Sequence, residues 1–211
     1  MTGEEQKSGV WDDLRVTANM IAVRGSQYSE APEYASILAN AERGPSYSGL
    51  LGYRFGWGRG VFQSGHFQVQ LPHGYVPGSP LEPHVHVRLD PVSGGAAGQK
   101  LLLEFEYIWV NTGEPRPHST TILAINHTVS ASDLSADNLM ISFGLIHKED
   151  AGISSMLDCR FSRLNFDPGW EKDFWTPRGL ANDDFQGYLV FKEFDFHYQL
   201  DTLGSRERLH R

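Results

Sequence analysis

Residues 67–90 read FQVQLPHGYVPGSPLEPHVHVRLD, and the period of this stretch decides the fold. Phe67-Gln68-Val69-Gln70-Leu71 and His84-Val85-His86-Val87-Arg88-Leu89-Asp90 each alternate apolar with polar, which is the signature of half-buried strands. The segment between them holds Pro72, Gly74, Pro77, Gly78, Pro80 and Pro83, residues that end strands and build turns. Phe67, Val69 and Leu71 share one face of the first run, and Val85, Val87 and Leu89 share one face of the second. His84, His86, Arg88 and Asp90 then fall together on the opposite face. Two histidines pointing the same way either bind a metal or face water or another protein, and the choice separates an enzyme from a structural protein.

The same alternation recurs along the rest of the chain. Strands are expected near 61–71, 82–90, 100–111, 119–128, 138–148, 153–164 and 187–200. KLLLEFEYIWVN (100–111) puts Leu101, Leu103, Phe105, Tyr107 and Trp109 on one face. YLVFKEFDFHYQL (188–200) puts Tyr188, Val190, Phe194, Phe196, Tyr198 and Leu200 together, with Glu193, Asp195, His197 and Gln199 opposite. Half-buried strands with no helices between them imply an all-β fold of sandwich or barrel type. An antiparallel β-sandwich of jelly-roll type is the first choice and an immunoglobulin-like sandwich the second.

Residues 1–58 lack this alternation and read as an extended N-terminal arm that lies on something else. The domain proper is expected over 59–204 and a C-terminal tail over 205–211. Within the arm, APEYASILANAER (31–43) has helical spacing of Tyr34, Ile37 and Leu38, with Pro32 suited to a first turn. The glycine-rich 56–60 reads as a hinge. Three loops follow: a flexible tip at 91–99, a polar connection at 129–137 with room for one helical turn, and a long aromatic segment at 165–184. That last segment holds Phe166, Trp170, Phe174 and Trp175, and a loop of such length usually carries function.

Composition narrows the function classes. With 40% apolar and 21% charged residues the 211-residue chain can bury a sizeable core. A formal charge of −8 with no basic cluster argues against nucleic acid as partner. No apolar run approaches the roughly 18 residues of a membrane span, and MTGEEQKSGVWDDLRV lacks the order of a signal peptide. The single cysteine, Cys159, cannot form an internal disulfide, fits a reducing cytoplasm, and is expected to be a buried structural residue.

Several constellations carry possible chemistry. His84 and His86, two apart on a strand, can reach one metal ion, as the HxH pair of cupin enzymes does. Asp90 would supply an acidic ligand and His118 or His127 a third histidine, but the other cupin residues do not line up. His73 is read as a turn histidine bonded to backbone. The preferred reading of the His84/His86 face is polar residues at a subunit contact, with no metal and no cofactor. Glu104 with Glu106, and Glu193 with Asp195, have the spacing of paired catalytic carboxylates, yet acidic residues two apart on a strand ordinarily form its solvated side. No nucleophile elbow, phosphate loop, dinucleotide fingerprint, CxxC or HExxH is present. No catalytic residue is expected.

Four pieces, VQLPHGYVPGSPLEPHVHV (69–87), LEFEYIWVN (103–111), ISSMLDCRFSRL (153–164) and FDFHYQLDTLGSRER (194–208), together resemble a group of tailed-bacteriophage virion proteins. The resemblance spans about residues 61–208 and leaves the arm without a counterpart. It implies a particle component with no catalytic duty, a jelly-roll capsid decoration (cement) protein assembled in the host cytoplasm. Such a protein would form a homotrimer on the major capsid protein and stabilise the shell. Partner contacts are then expected at Trp11, Tyr34 and Trp57 in the arm, at Trp170, Phe174 and Trp175 in the aromatic loop, and at Arg206 and Arg208 in the tail. The rivals are a tail, fibre-associated or receptor-binding module and a cupin-like metalloenzyme.

Overall fold

The computed structural model describes residues 10–25, 31–36, 51–57, 62–91, 94–164 and 183–201. They form a sandwich of two antiparallel sheets, as the alternation requires. The strands are β1 (Val10–Thr17), β2 (Ala22–Arg24), β3 (Glu33–Ser36), β4 (Leu51–Phe55), β5 (Phe62–Gln70) and β6 (Leu81–Pro91), followed by β7 (Lys100–Val110), β8 (Thr121–Thr128), β9 (Leu139–Ser142), β10 (Met156–Leu164) and β11 (Gly187–Leu200). One sheet has the order β3-β4-β11-β6-β9, with β1 also on β11; the other has the order β2-β5-β10-β7-β8. From β5 onward the chain changes sheet at each described connection except the β7–β8 hairpin, which is the jelly-roll-like path.

Each sheet turns its apolar face inward. Leu101, Leu103, Phe105 and Trp109 of β7 and Phe67 and Val69 of β5 meet Val85, Val87 and Leu89 of β6 and Phe194 and Phe196 of β11. Phe105 and Phe194 bring their ring centroids to 4.9 Å across the gap, and Phe67 reaches Phe194 at 5.0 Å. Tilted and edge-on rings of this kind pack the core more favourably than their buried area alone accounts for. Cys159 points inward from β10, where burial pushes its thiol well up and leaves it unreactive.

The segment read as an arm is extended where it is described, and what it lies on is the sandwich itself. β1 runs antiparallel along the whole second half of β11, from Val10 opposite Leu200 to Thr17 opposite Glu193. β2 pairs with β5, and β4 pairs with β11. Val16, Ala18, Ile21 and Phe55 are core residues. Ile21 seats on β5 because Gly65 has no side chain: a Cβ there would lie 2.9 Å from Ile21 Cδ1. Pairing therefore crosses the boundary placed at residue 58.

Two local expectations are corrected. Residues 33–36 of the proposed 31–43 helix form β3, with Tyr34 opposite Tyr53 in register; a short helix is marginal by itself, and the ladder offered by β4 outweighs its local spacing. On β11 the inward residues are Leu189 and Phe191, then Phe194, Phe196 and Tyr198. The register slips between Phe191 and Glu193, so Lys192 is an extra, bulged residue and the parity reverses there. Tyr188 and Val190 thus lie on the outer face, and the Arg54 guanidinium stacks 3.8 Å from the Tyr188 ring centroid. The 129–137 connection does contain one helical turn, α1 (Ala131–Ser135), closed by a capping box between Ser130 and Asp133.

Candidate functional site

Two places on the outer faces of the sheets gather chemistry-bearing side chains. The first is the face of β6 that carries His84 and His86. β11 is the neighbour of β6, and the ladder sets Asp195 opposite His84 and Glu193 opposite His86. The Asp195 Oδ2 atom is 3.5 Å from His86 Nε2 and 3.8 Å from His84 Nε2. His84 and Asp195 are buried and His86 is half-buried. His84 Nδ1 lies 3.1 Å from the Glu82 carbonyl oxygen, and His86 Nδ1 lies 3.1 Å from Asn138 Oδ1. Burial pushes the His84 imidazole below its ordinary value, with His197 and His86 adding to the effect against the Glu82 carbonyl. Burial and the neighbouring Glu193 push the Asp195 carboxyl up to about 6, opposed by His86 and Arg15. His197 stacks on His84 with centroids 4.2 Å apart and spans Asp13 and Glu82, at 3.1 and 3.4 Å.

The cupin-type ligand set does not assemble. Asp90 sits farther along β6 beside Arg54, at 3.8 Å. His127 is on the other sheet, 2.9 Å from Asp133 of α1, while His118 and His73 are exposed on connections. The residue brought to the histidines is Asp195, which the sequence offered as half of a carboxylate pair with Glu193 and, by preference, as part of a solvated strand face.

The second place is a groove of about 680 Å³ on the outer face of the five-stranded sheet. Its floor is built from alternate residues of three adjacent strands: Gln68 of β5, Asp158 and Arg160 of β10, and Glu106 of β7. Met20 and Ala22 border one side, and Arg116 and Thr120 of the β7–β8 connection border the other. Arg160 reaches Glu104 at 2.9 Å and Glu106 at 2.7 Å, and Arg116 reaches Asp158 at 3.0 Å. Thr120 donates to Glu106 and Gln68 donates to Asp158, each at 2.5 Å. The carboxylates Glu104 and Glu106, spaced like a catalytic pair, are bridged by one guanidinium. Burial raises the Glu104 carboxyl while Arg160 opposes the shift. His66 also lines the groove, held below its ordinary value by burial, then by Arg160 and Arg24.

Of the expected partner-binding residues, Trp11 on β1 and Trp57 after β4 are exposed, at 44% and 38%. Tyr34 is placed in β3. Trp170, Phe174, Trp175, Arg206 and Arg208 lie outside the described residues, as does most of the 56–60 segment.

No protein-family model matches the chain, and no curated protein matches it either. Among solved structures it is similar to TmCBM61 in complex with β-1,4-galactotriose, at 10% identity, covering 87% of this chain and 90% of that one with a TM-score of 0.39. It is also similar to the enzymatically active domain of bacteriophage CBA120 tailspike protein 4, at 6% identity and a TM-score of 0.36. That match covers 88% of this chain and 19% of the tailspike chain.

Proposed function

We propose that this chain is a non-enzymatic virion component of a tailed phage, acting as a tail- or fibre-associated module that binds a neutral, hydroxyl-rich surface ligand such as a glycan. The observation that carries the ligand class is the groove floor. A hydroxyl group both donates and accepts, so it is best met by guanidinium N–H groups and carboxylate oxygens side by side. Arg116, Arg160, Asp158 and Glu106 provide that mixture with their charges balanced, which suits an uncharged ligand better than a phosphate or a polyanion. The groove is shallow and open, with a volume in the range of small-ligand sites. The particle itself is what the resemblance of residues 61–208 implies. The bridging of Glu104 and Glu106 by Arg160 supports the non-enzymatic reading, because an oxygen of each carboxylate is already engaged by the guanidinium.

Capsid decoration is the second reading, favoured by a different observation. β1 is an edge strand that pairs only with β11 among the described residues, and it exposes Val10 and Trp11. An edge of this kind can add to a neighbouring subunit or a shell protein, as a homotrimer on the major capsid protein would require.

One experiment separates the two. Labelled full-length chain is incubated with host cells and with undecorated capsids, beside the double variant Arg116→Ala/Asp158→Ala, whose sites are at the surface. Saturable binding to cells, weakened at least about tenfold in the variant, a loss near 1.4 kcal/mol, supports the glycan module. Binding to capsids alone, equal for both proteins, would overturn it in favour of decoration.

A further inference from the structure

We propose that His84, His86 and Asp195 form a site for one divalent transition-metal ion that ties β6 to β11. The site is independent of the groove, since it lies on the opposite sheet.

The hydrogen bonds around the two imidazoles carry the argument. Each Nδ1 faces an oxygen that can only accept, the Glu82 carbonyl for His84 and the Asn138 side-chain oxygen for His86. These partners favour a proton on each Nδ1, and a neutral imidazole so held turns its Nε2 lone pair outward. Those lone pairs point toward Asp195 Oδ2. With both rings neutral, the carboxylate faces two acceptor nitrogens and no donor. Its other oxygen, Oδ1, is buried with no hydrogen-bond partner among the described residues. A buried carboxylate left without donors is costly, and a cation between the three groups would answer every one of these lone pairs.

The dimensions agree. Ligand nitrogen and oxygen atoms about 2.0–2.1 Å from a tetrahedral ion lie about 3.3 Å apart. One ligand atom from each of His84, His86 and Asp195 can be chosen so that all three lie within 4.8 Å of one another. The 3.5 Å separation of His86 from Asp195 is near the required spacing, and the 3.8 Å separation of His84 needs to close by a few tenths of an ångström. The Nδ1 contacts are the outer partners that ligating histidines normally have, fixing tautomer and ring orientation. The surroundings are acidic: Glu193 and Asp13 act on Asp195 against Arg15 and His86, and Glu82 sits beside His197. Two imidazoles and one carboxylate suit zinc, iron, nickel or cobalt better than calcium or magnesium. The exposed edge of His86 leaves the remaining positions to water or to a donor from outside.

The test uses the full chain, dialysed against a chelator and titrated with Zn2+, and separately with Ni2+ and Mn2+, by calorimetry. The expected result is one equivalent of Zn2+ per chain and a higher melting temperature at saturation, because an ion that binds only the folded chain stabilises it. Asp195→Asn keeps the shape and His86→Ala changes a half-buried residue, so both variants should stay folded by circular dichroism and lose the binding. Asn138→Ala should weaken it by about 10- to 100-fold, as removal of an outer partner does. If none of the three ions binds saturably, or if binding persists unchanged in Asp195→Asn and His86→Ala, the site does not exist. Should one variant fail to fold, the other decides.

Discussion

Among the described residues, two clusters of buried charge sit along β11, one at its start and one past its middle, and they are finished to different degrees. At the start of the strand, Arg163 of β10 points into the sandwich and holds Asp183 through two bonds, from Nε at 2.8 Å and Nη2 at 2.9 Å. Its other N–H groups reach the carbonyl oxygens of Phe185, Gly187 and Phe55, at 2.8, 2.6 and 3.5 Å. Asp183 accepts from the Leu102 and Phe185 amides as well, at 3.2 Å each. The guanidinium spends all five donors on oxygens the chain itself provides. Farther along, Asp195 is as deeply buried, yet its Oδ1 has no hydrogen-bond partner among the described residues and its Oδ2 meets the Nε2 atoms of His86 and His84 at 3.5 and 3.8 Å. A buried charge that the chain completes is architecture, tying β4, β10 and the start of β11 together. One that the chain leaves open points to a component from outside.

The largest expected effect follows from the completed cluster. Arg163→Met would leave the Asp183 carboxylate buried without its cation and release three carbonyls. Breaking one side of such a pair typically costs about 3–5 kcal/mol. Urea denaturation should show the midpoint falling by that equivalent, with the slope unchanged. A loss below about 1 kcal/mol would mean that the cluster is dispensable, and the contrast with Asp195 would collapse.

A smaller effect is expected at the bulge between the two clusters. Lys192 is the residue that reverses the parity of β11, so that Phe191 faces inward and Asp195 outward although both numbers are odd. Deleting one residue from a regular strand turns everything after it to the wrong face. Deleting Lys192 should instead restore a regular ladder, with Phe191 and Phe194 still inside. The expected cost is about 1–2 kcal/mol, from the altered twist and the lost contact of Lys192 with the Asp137 carbonyl. Denaturant midpoints and near-ultraviolet circular dichroism check this; an unfolded deletion protein would show that some other residue is the extra one.

That bulge also marks where the sequence stops being readable. β6 is legible because it alternates strictly, and β5, β7, β8 and β10 because alternation holds over enough of each to mark a strand. Tyr188 to Phe191 is apolar on both parities, so nothing in the pattern shows that the phase slips at Lys192. β9 is shorter than its apolar run suggests, since Gly144 adopts a left-handed φ of 79° and the chain leaves the ladder. For the site, the spacing of His84 and His86 shows that they share a face. Asp195 is hidden because only the β6–β11 pairing brings it there, and distant pairings are not written in local pattern. Arg163 did leave a signal: it falls on the same parity as Leu157, Cys159 and Phe161, where a strand's polar residues do not belong.

The smallest expected effect is the one that sharpens the contrast most. Asp183→Asn and Asp195→Asn are the same chemical change at two buried carboxylates. In the first, the neutral amide loses the charge that answers Arg163, and a large loss of stability follows, of the order given for Arg163→Met. In the second, with the protein freed of metal, the substitution removes a charge whose Oδ1 has no donor among the described residues and supplies an N–H that can reach a neutral histidine's Nε2. The stability of the metal-free chain should therefore change by less than about 1 kcal/mol, and in the stabilising direction if at all. Measured side by side in urea, equal large losses for the two variants would show that Asp195 has a partner within the folded chain. A large loss at Asp183 beside none at Asp195 is what a fold completed in one place and left open in the other requires.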